Sequence, residues 1–208
     1  MNERSAAGDQ IGWWITPAFF TSGFAALIYQ VVWQRVLFAS FGINIEAVTI
    51  VVTAFLAGLG IGSLAGGRIS TRAGRTLLLA FAIVEASIGA YGIISVRLFR
   101  WTAEFAASLS AWATGLLTFT FVLIPAFMMG ITLPLLVSYA VRKNANVGLS
   151  VGRLYFINTA GSSLASLMSA AFIMRDFGES QSVMLAASLN IAVAAFVFLT
   201  WIRERNDA

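Results

Sequence analysis

The chain contains neither cysteine nor histidine. Their absence removes disulfides, thiol catalysis, imidazole bases and the usual zinc, copper and haem ligands together. Any chemistry therefore has to come from carboxylates, amides, hydroxyls and guanidinium groups, and the sequence predicts no catalytic residue, no metal site and no cofactor. Charge is scarce as well: 11% of the 208 residues are charged, where a soluble domain carries about a quarter. Proline occurs at only 3 positions. What fills the chain instead is apolar, at 59% of residues. A water-soluble fold of this length could not hide so much apolar surface, so the sequence predicts an all-α membrane protein. The net charge of +4 does not point to nucleic acid, because the arginines are scattered rather than gathered on one stripe.

A spanning helix needs roughly 20 apolar residues, because the hydrocarbon layer is about 30 Å thick and each residue rises about 1.5 Å. Six stretches meet that requirement, at approximately 13–38, 44–66, 76–97, 107–141, 153–174 and 181–202. The expected organisation is a short N-terminal segment over 1–12, one bundle over 13–202 and a tail over 203–208, with residue 13 onward taken as a retained first helix rather than a cleaved signal. The fourth stretch holds Pro125 and Pro134 and is either one long kinked helix or a helix followed by a re-entrant piece. With the N-terminus inside, nine basic residues (Arg4, Arg68, Arg72, Arg75, Arg142, Lys143, Arg153, Arg203 and Arg205) fall on one side. The other four (Arg35, Arg97, Arg100 and Arg175) fall opposite. The excess places both termini in the cytoplasm, and the expected location is a bacterial inner membrane.

Several residues stand out within that frame. Ala54, Gly58, Gly62 and Gly66 follow one another at i, i+4 spacing, a stripe that lets a neighbouring helix backbone approach closely. Glu85 sits about nine residues, or about 14 Å, into the third stretch and so near the bilayer midplane. A carboxylate at that depth has to face the bundle interior and be protonated, hydrogen-bonded or paired, with Gly89 and Gly92 on the same face. Gln30 and Gln34 in the first stretch, Asn158 in the fifth and Asn190 in the sixth are the amides available to it. Two readings stay open: these residues line one polar substrate site, or they are interhelical hydrogen bonds that glue the bundle. Pro17-Ala18-Phe19 and Pro125-Ala126-Phe127 form a faint internal echo, which fits two three-helix repeats.

Two resemblances follow from these stretches. Gly67-Arg68-Ile69-Ser70-Thr71-Arg72-Ala73-Gly74-Arg75 resembles the cytoplasmic loop between helices two and three of the major facilitator superfamily, with Thr71 where that pattern has Asp. Arg68, Arg72, Gly74 and Arg75 are its loop residues. The stretches Ser22–Arg35, Phe55–Ser63, Met129–Leu136 and Gly152–Gly161 resemble, in order, the membrane domain of spermidine synthase-like proteins, in which a major-facilitator-like bundle is fused to an aminopropyltransferase domain. The resemblance implies a six-transmembrane-helix bundle like one half of a major facilitator transporter. That family usually has Glu at the position of Gln30, so Glu85 is left as the sole carboxylate of a possible pair.

The combined expectation is a transporter-like membrane subunit that binds or moves a small cationic solute such as a polyamine, with Glu85, Gln30, Gln34, Asn158 and Asn190 as the binding residues. The alternative is a structural or anchoring subunit of a larger membrane complex, partnering a separate aminopropyltransferase-like domain. No soluble segment with a Gly-rich cofactor turn follows Trp201, so the polypeptide by itself is expected not to be an enzyme. Its expected partners are the lipid bilayer and either a second copy or other subunits of a complex, since one half-transporter bundle supplies only half of a central path.

Overall fold

The computed structural model describes residues 13–41, 45–106, 109–144 and 146–206; the 1–12 segment and the last two residues of the expected tail lie outside it. Among the described residues every regular element is helical. The long helices are α1 (Ile15–Phe41), α2 (Ile45–Ala73), α3 (Leu77–Ala106), α4 (Ala111–Asn144) and α5 (Val147–Met168). A π-helical turn at Ser169–Ile173 and the short α6 (Met174–Asp176) then lead into α7 (Gly178–Asn206).

Among these residues five stretches are long and apolar enough to cross a bilayer: Ile15–Ala39, Val48–Thr102, Trp112–Lys143, Val147–Asp176 and Gly178–Asn206. The sequence reading counts six. The difference arises because the expected second and third segments join into one helical run of 55 residues. The basic segment expected as a loop is not extended chain: Arg68 and Arg72 lie in α2, while Gly74 and Arg75 belong to a 3-10 turn, Gly74–Thr76, that passes straight into α3. Only Gly74, with φ of +50°, leaves the right-handed region there, a conformation that glycine adopts without a Cβ penalty. Gly178, with φ of +67°, does the same at the start of α7.

The fourth stretch is a single helix with both prolines inside it. Pro125 has no N–H, so the carbonyl four residues earlier, on Phe121, loses its helical partner. The Tyr91 hydroxyl of α3 donates to that carbonyl at 2.6 Å, which is how α4 passes its proline without leaving a polar group bare in an apolar surround.

Helix α2 packs chiefly on α4, α3 on α7 and α4, and α1 on α5 and α7. The α2–α4 contact runs along buried Ala54, Gly58, Gly62 and Gly66. A Cβ on Gly66 would meet the Ile131 carbonyl oxygen at 2.8 Å, and one on Gly62 would overlap the Phe127 carbonyl oxygen outright. The α1–α5 contact is built alike, with Gly161 against the Phe20 carbonyl and Gly23 against that of Asn158.

Side-chain contacts distinguish the two ends of the bundle. At one end Trp14 packs on Tyr139 and Phe196, the Tyr139 hydroxyl donates to Glu204, and Arg142 reaches the Ser70 carbonyl. At the other end Glu179 of α7 pairs with Arg35 of α1 at 3.6 Å and Arg100 of α3 at 3.2 Å. All three of these side chains are partly exposed, so the pairs contribute little stability.

Candidate functional site

The apolar interior falls into two clusters stacked along the bundle axis. One contains Trp14, Phe19, Leu78, Phe81, Leu135, Leu154 and Val197. The other contains Ile28, Tyr29, Trp33, Ile88, Phe99, Val122 and Val183. Between them each of three helices presents a polar side chain: Ser22 on α1, Glu85 on α3 and Asn190 on α7, all buried.

Glu85 is fully buried. The Ser22 hydroxyl donates to its Oε1 at 2.5 Å, and the Asn190 amide donates to its Oε2 at 2.5 Å. Burial of a carboxyl in so apolar a setting would cost several kcal/mol unless its oxygens were bonded, and both are. Gly89 and Gly92, on the same face as Glu85, open no space beside it: Gly89 lies against Ile191 and the Ala187 carbonyl of α7, and Gly92 against the ring of Tyr29. The Tyr29 ring also stacks on Trp33, whose indole N–H donates to Ser95 at 2.9 Å.

A cavity of about 190 Å³ opens beside this layer. Its polar lining comes from Ser22 and Gln30 of α1, Thr132 of α4, Asn158 and Ser162 of α5, and Asn190 of α7. Asn158 also donates to the Phe19 carbonyl at 3.4 Å, and Ser162 to the Gly23 carbonyl at 3.0 Å. The Asn190 Oδ1 is buried without a hydrogen-bond partner among the described residues, so this layer holds an acceptor that no protein donor fills. No cationic side chain lines the cavity.

Of the residues singled out by sequence, Glu85 and Asn190 are in direct contact, Gln30 and Asn158 share the cavity beside them, and Gln34 is not brought there. Gln34 lies one turn further along α1, beside a separate surface hollow with Val31, Arg35 and Phe38. Sequence reasoning missed Ser22. Its signal was the run Ser22, Ala26, Gln30 at i, i+4 spacing, which puts a hydroxyl two turns from Gln30 on one face of α1.

No family profile matches the chain, and no solved structure matches it. Among curated proteins it is similar to a polyamine aminopropyltransferase of Oceanobacillus iheyensis, with 22% identity over 204 residues. The match covers 98% of this chain, and the chain spans 38% of the length of that relative. The expectation that this polypeptide is not an enzyme is thereby overturned, since the relative matched along nearly the whole chain is named as an enzyme. That expectation rested on what does not follow Trp201, and likeness to one part of a longer enzyme removes that ground.

Proposed function

We propose that the chain forms the membrane bundle of an aminopropyltransferase-type protein, whether fused to the catalytic part or associated with it, and that its central pocket binds a small cationic solute such as a polyamine. The observation that carries this reading is the cavity of about 190 Å³ laid against the Ser22–Glu85–Asn190 layer. It is smaller than the roughly 300–1,000 Å³ pockets that enclose drug-sized ligands, so it suits a small solute. The buried carboxylate Glu85 lies beside it, and the basic side chains lie toward the two ends of the bundle. In a medium of low dielectric that arrangement favours a cation over an anion. An ammonium group donates hydrogen bonds only, and the hydroxyl and amide oxygens of the lining residues are the kind of acceptors it needs. Titration of spermidine into the purified protein is expected to give saturable binding that Glu85→Gln abolishes; heat signals indistinguishable from buffer would remove the reading.

The bundle is read as six crossings resembling half of a major facilitator transporter, both termini cytoplasmic, in a bacterial inner membrane. The 55-residue run from Val48 to Thr102 would extend about 80 Å if straight, more than twice the hydrocarbon thickness, and the positive φ of Gly74 supports a fold-back there. The pairings support two three-helix repeats: α2 on α4 corresponds to α5 on α1, and α3 on α4 to α7 on α1. A reporter inserted after Gly74 is expected to score on the same side as reporters at both termini, and an opposite score would rule out the fold-back.

A second reading, an anchoring role within a larger membrane complex or a pairing of two copies, is favoured by one observation. Both oxygens of Glu85 are already bonded within the bundle, which is what a glue residue requires.

A further inference from the structure

A second, larger cavity of about 600 Å³ lies on the outer surface of the bundle between α3 and α7, well away from the central pocket. Its inner part is apolar, with Ile93, Ile94, Val183 and Met184, while Arg97, Arg100 and Trp101 lie at its far end. Ile94 and Met184 are about half exposed, as is Trp101. Along α3 the lining therefore runs from Ile93 and Ile94 through Arg97 and Arg100 to Trp101 and Glu104.

That order matches the depth profile of one leaflet. The apolar part of α3 centres near Glu85, so Ile93 and Ile94 lie about 12–14 Å from the midplane and Arg97 about 18 Å from it. The hydrocarbon half-layer is about 15 Å thick. The isoleucines then sit at the acyl level and Arg97 at the headgroup level, with Trp101 one turn further out, about 24 Å from the midplane. Arg97 and Arg100 are three residues apart on one helix face and are neighbours there. Glu104 also borders the groove, and Arg100 is shared with Glu179 at 3.2 Å. Arg35 sits on the other oxygen of Glu179, so Arg35, Arg97 and Arg100 outnumber Glu104 and Glu179 and leave an excess positive charge around Arg97.

We propose that the α3–α7 groove is a binding site for an anionic phospholipid in the leaflet at the Arg97 end, its phosphate held by Arg97 and Arg100 and one acyl chain lying over Ile93, Ile94 and Met184. The groove is open on the outer face of the bundle, and a phosphate is the complement of the two guanidinium groups at its mouth. A zwitterionic lipid would bring its own cation to the same place.

The test is electron spin resonance of the protein in phosphatidylcholine vesicles carrying a minority of phosphatidylglycerol, with the spin label on either lipid. The expected result is a motionally restricted population enriched about fivefold in labelled phosphatidylglycerol. That enrichment should be lost in Arg97→Gln/Arg100→Gln, kept in Arg97→Lys, and kept in Arg203→Gln/Arg205→Gln at the opposite end. All three variants alter exposed side chains, and equal thermal unfolding midpoints would show that they fold alike. Equal restriction of the two lipids by the unaltered protein would overturn the proposal. So would enrichment that survives loss of both groove arginines, and so would a groove covered by a second copy, seen as a dimer with no restricted lipid there.

Discussion

Replacing Gly62 with leucine is expected to prevent this protein from folding, whereas the same change at Gly60, two residues away, leaves it intact. The two glycines share a helix, a local sequence and a propensity, and differ only in what they face. A Cβ on Gly62 would overlap the Phe127 carbonyl oxygen and crowd the Cα of Gly130, while nothing lies within 4 Å of the equivalent point on Gly60. The nearest obstacles at Gly62 are all backbone atoms of α4, which cannot rotate aside as a side chain does. Overpacking a tight contact commonly costs about 1–3 kcal/mol, and a four-carbon side chain against a rigid helix should exceed that range. At Gly60 leucine removes a helix-weakening glycine and gains up to about 1 kcal/mol of propensity. Yield and thermal unfolding in mild detergent report both. Similar midpoints for the two variants would show that α2 and α4 do not meet along this stripe. Gly74 is not a suitable control, because its φ of +50° strains any larger residue regardless of space.

This contrast also marks what was legible in the sequence. Small residues at i, i+4 spacing announce a close helix contact because the period of the helix puts them on one face, but the period does not say which helix is met. That Gly62 meets Phe127 and Gly130 rather than α1 or α3 depends on how the whole bundle closes. The same limit applies to Glu85. Its depth could be counted from the start of the apolar run, and a buried carboxylate demands partners, so amides on other helices were the natural candidates. Asn190 was among them and does bond it, yet Gln30 and Gln34 sat on one predicted face and only Gln30 reaches the cavity. A stripe on a helix drifts in depth by about 6 Å for every four residues, which is enough to carry Gln34 out of a polar layer only one or two turns thick. Ser22 gives a weak signal in sequence because serine is common in membrane helices and often bonds its own backbone. The count of crossings differs for another reason: the sequence is split at its basic segment, whereas the described helices continue across Gly74 in one run from Val48 to Thr102.

Glu85→Ala is expected to destabilise the bundle by about 3 kcal/mol or more, while Glu85→Gln costs about 1 kcal/mol or less. Alanine leaves the Ser22 hydroxyl and the Asn190 amide buried between two apolar clusters with no acceptor. Each buried, unmade hydrogen bond costs about 1–3 kcal/mol, and the lost side-chain volume adds a cavity term. Glutamine keeps the shape and supplies one acceptor and two donors. Its carbonyl accepts from Ser22, and its NH2 requires an acceptor where the carboxylate offered one. Asn190 can provide it by turning its amide over, because its Oδ1 has no partner to lose. The compensation makes a further outcome checkable: Asn190→Leu should be severe beside the native carboxyl and no less severe beside Glu85→Gln, since either residue then faces an apolar side chain. Chemical or thermal unfolding of the single and double variants in one detergent measures all of these differences. If Glu85→Gln unfolds as readily as Glu85→Ala, the layer depends on the carboxylate itself and the amide exchange does not occur. If Glu85→Ala is harmless, Ser22 and Asn190 find other acceptors and Glu85 does not join α1, α3 and α7 at the centre of the bundle.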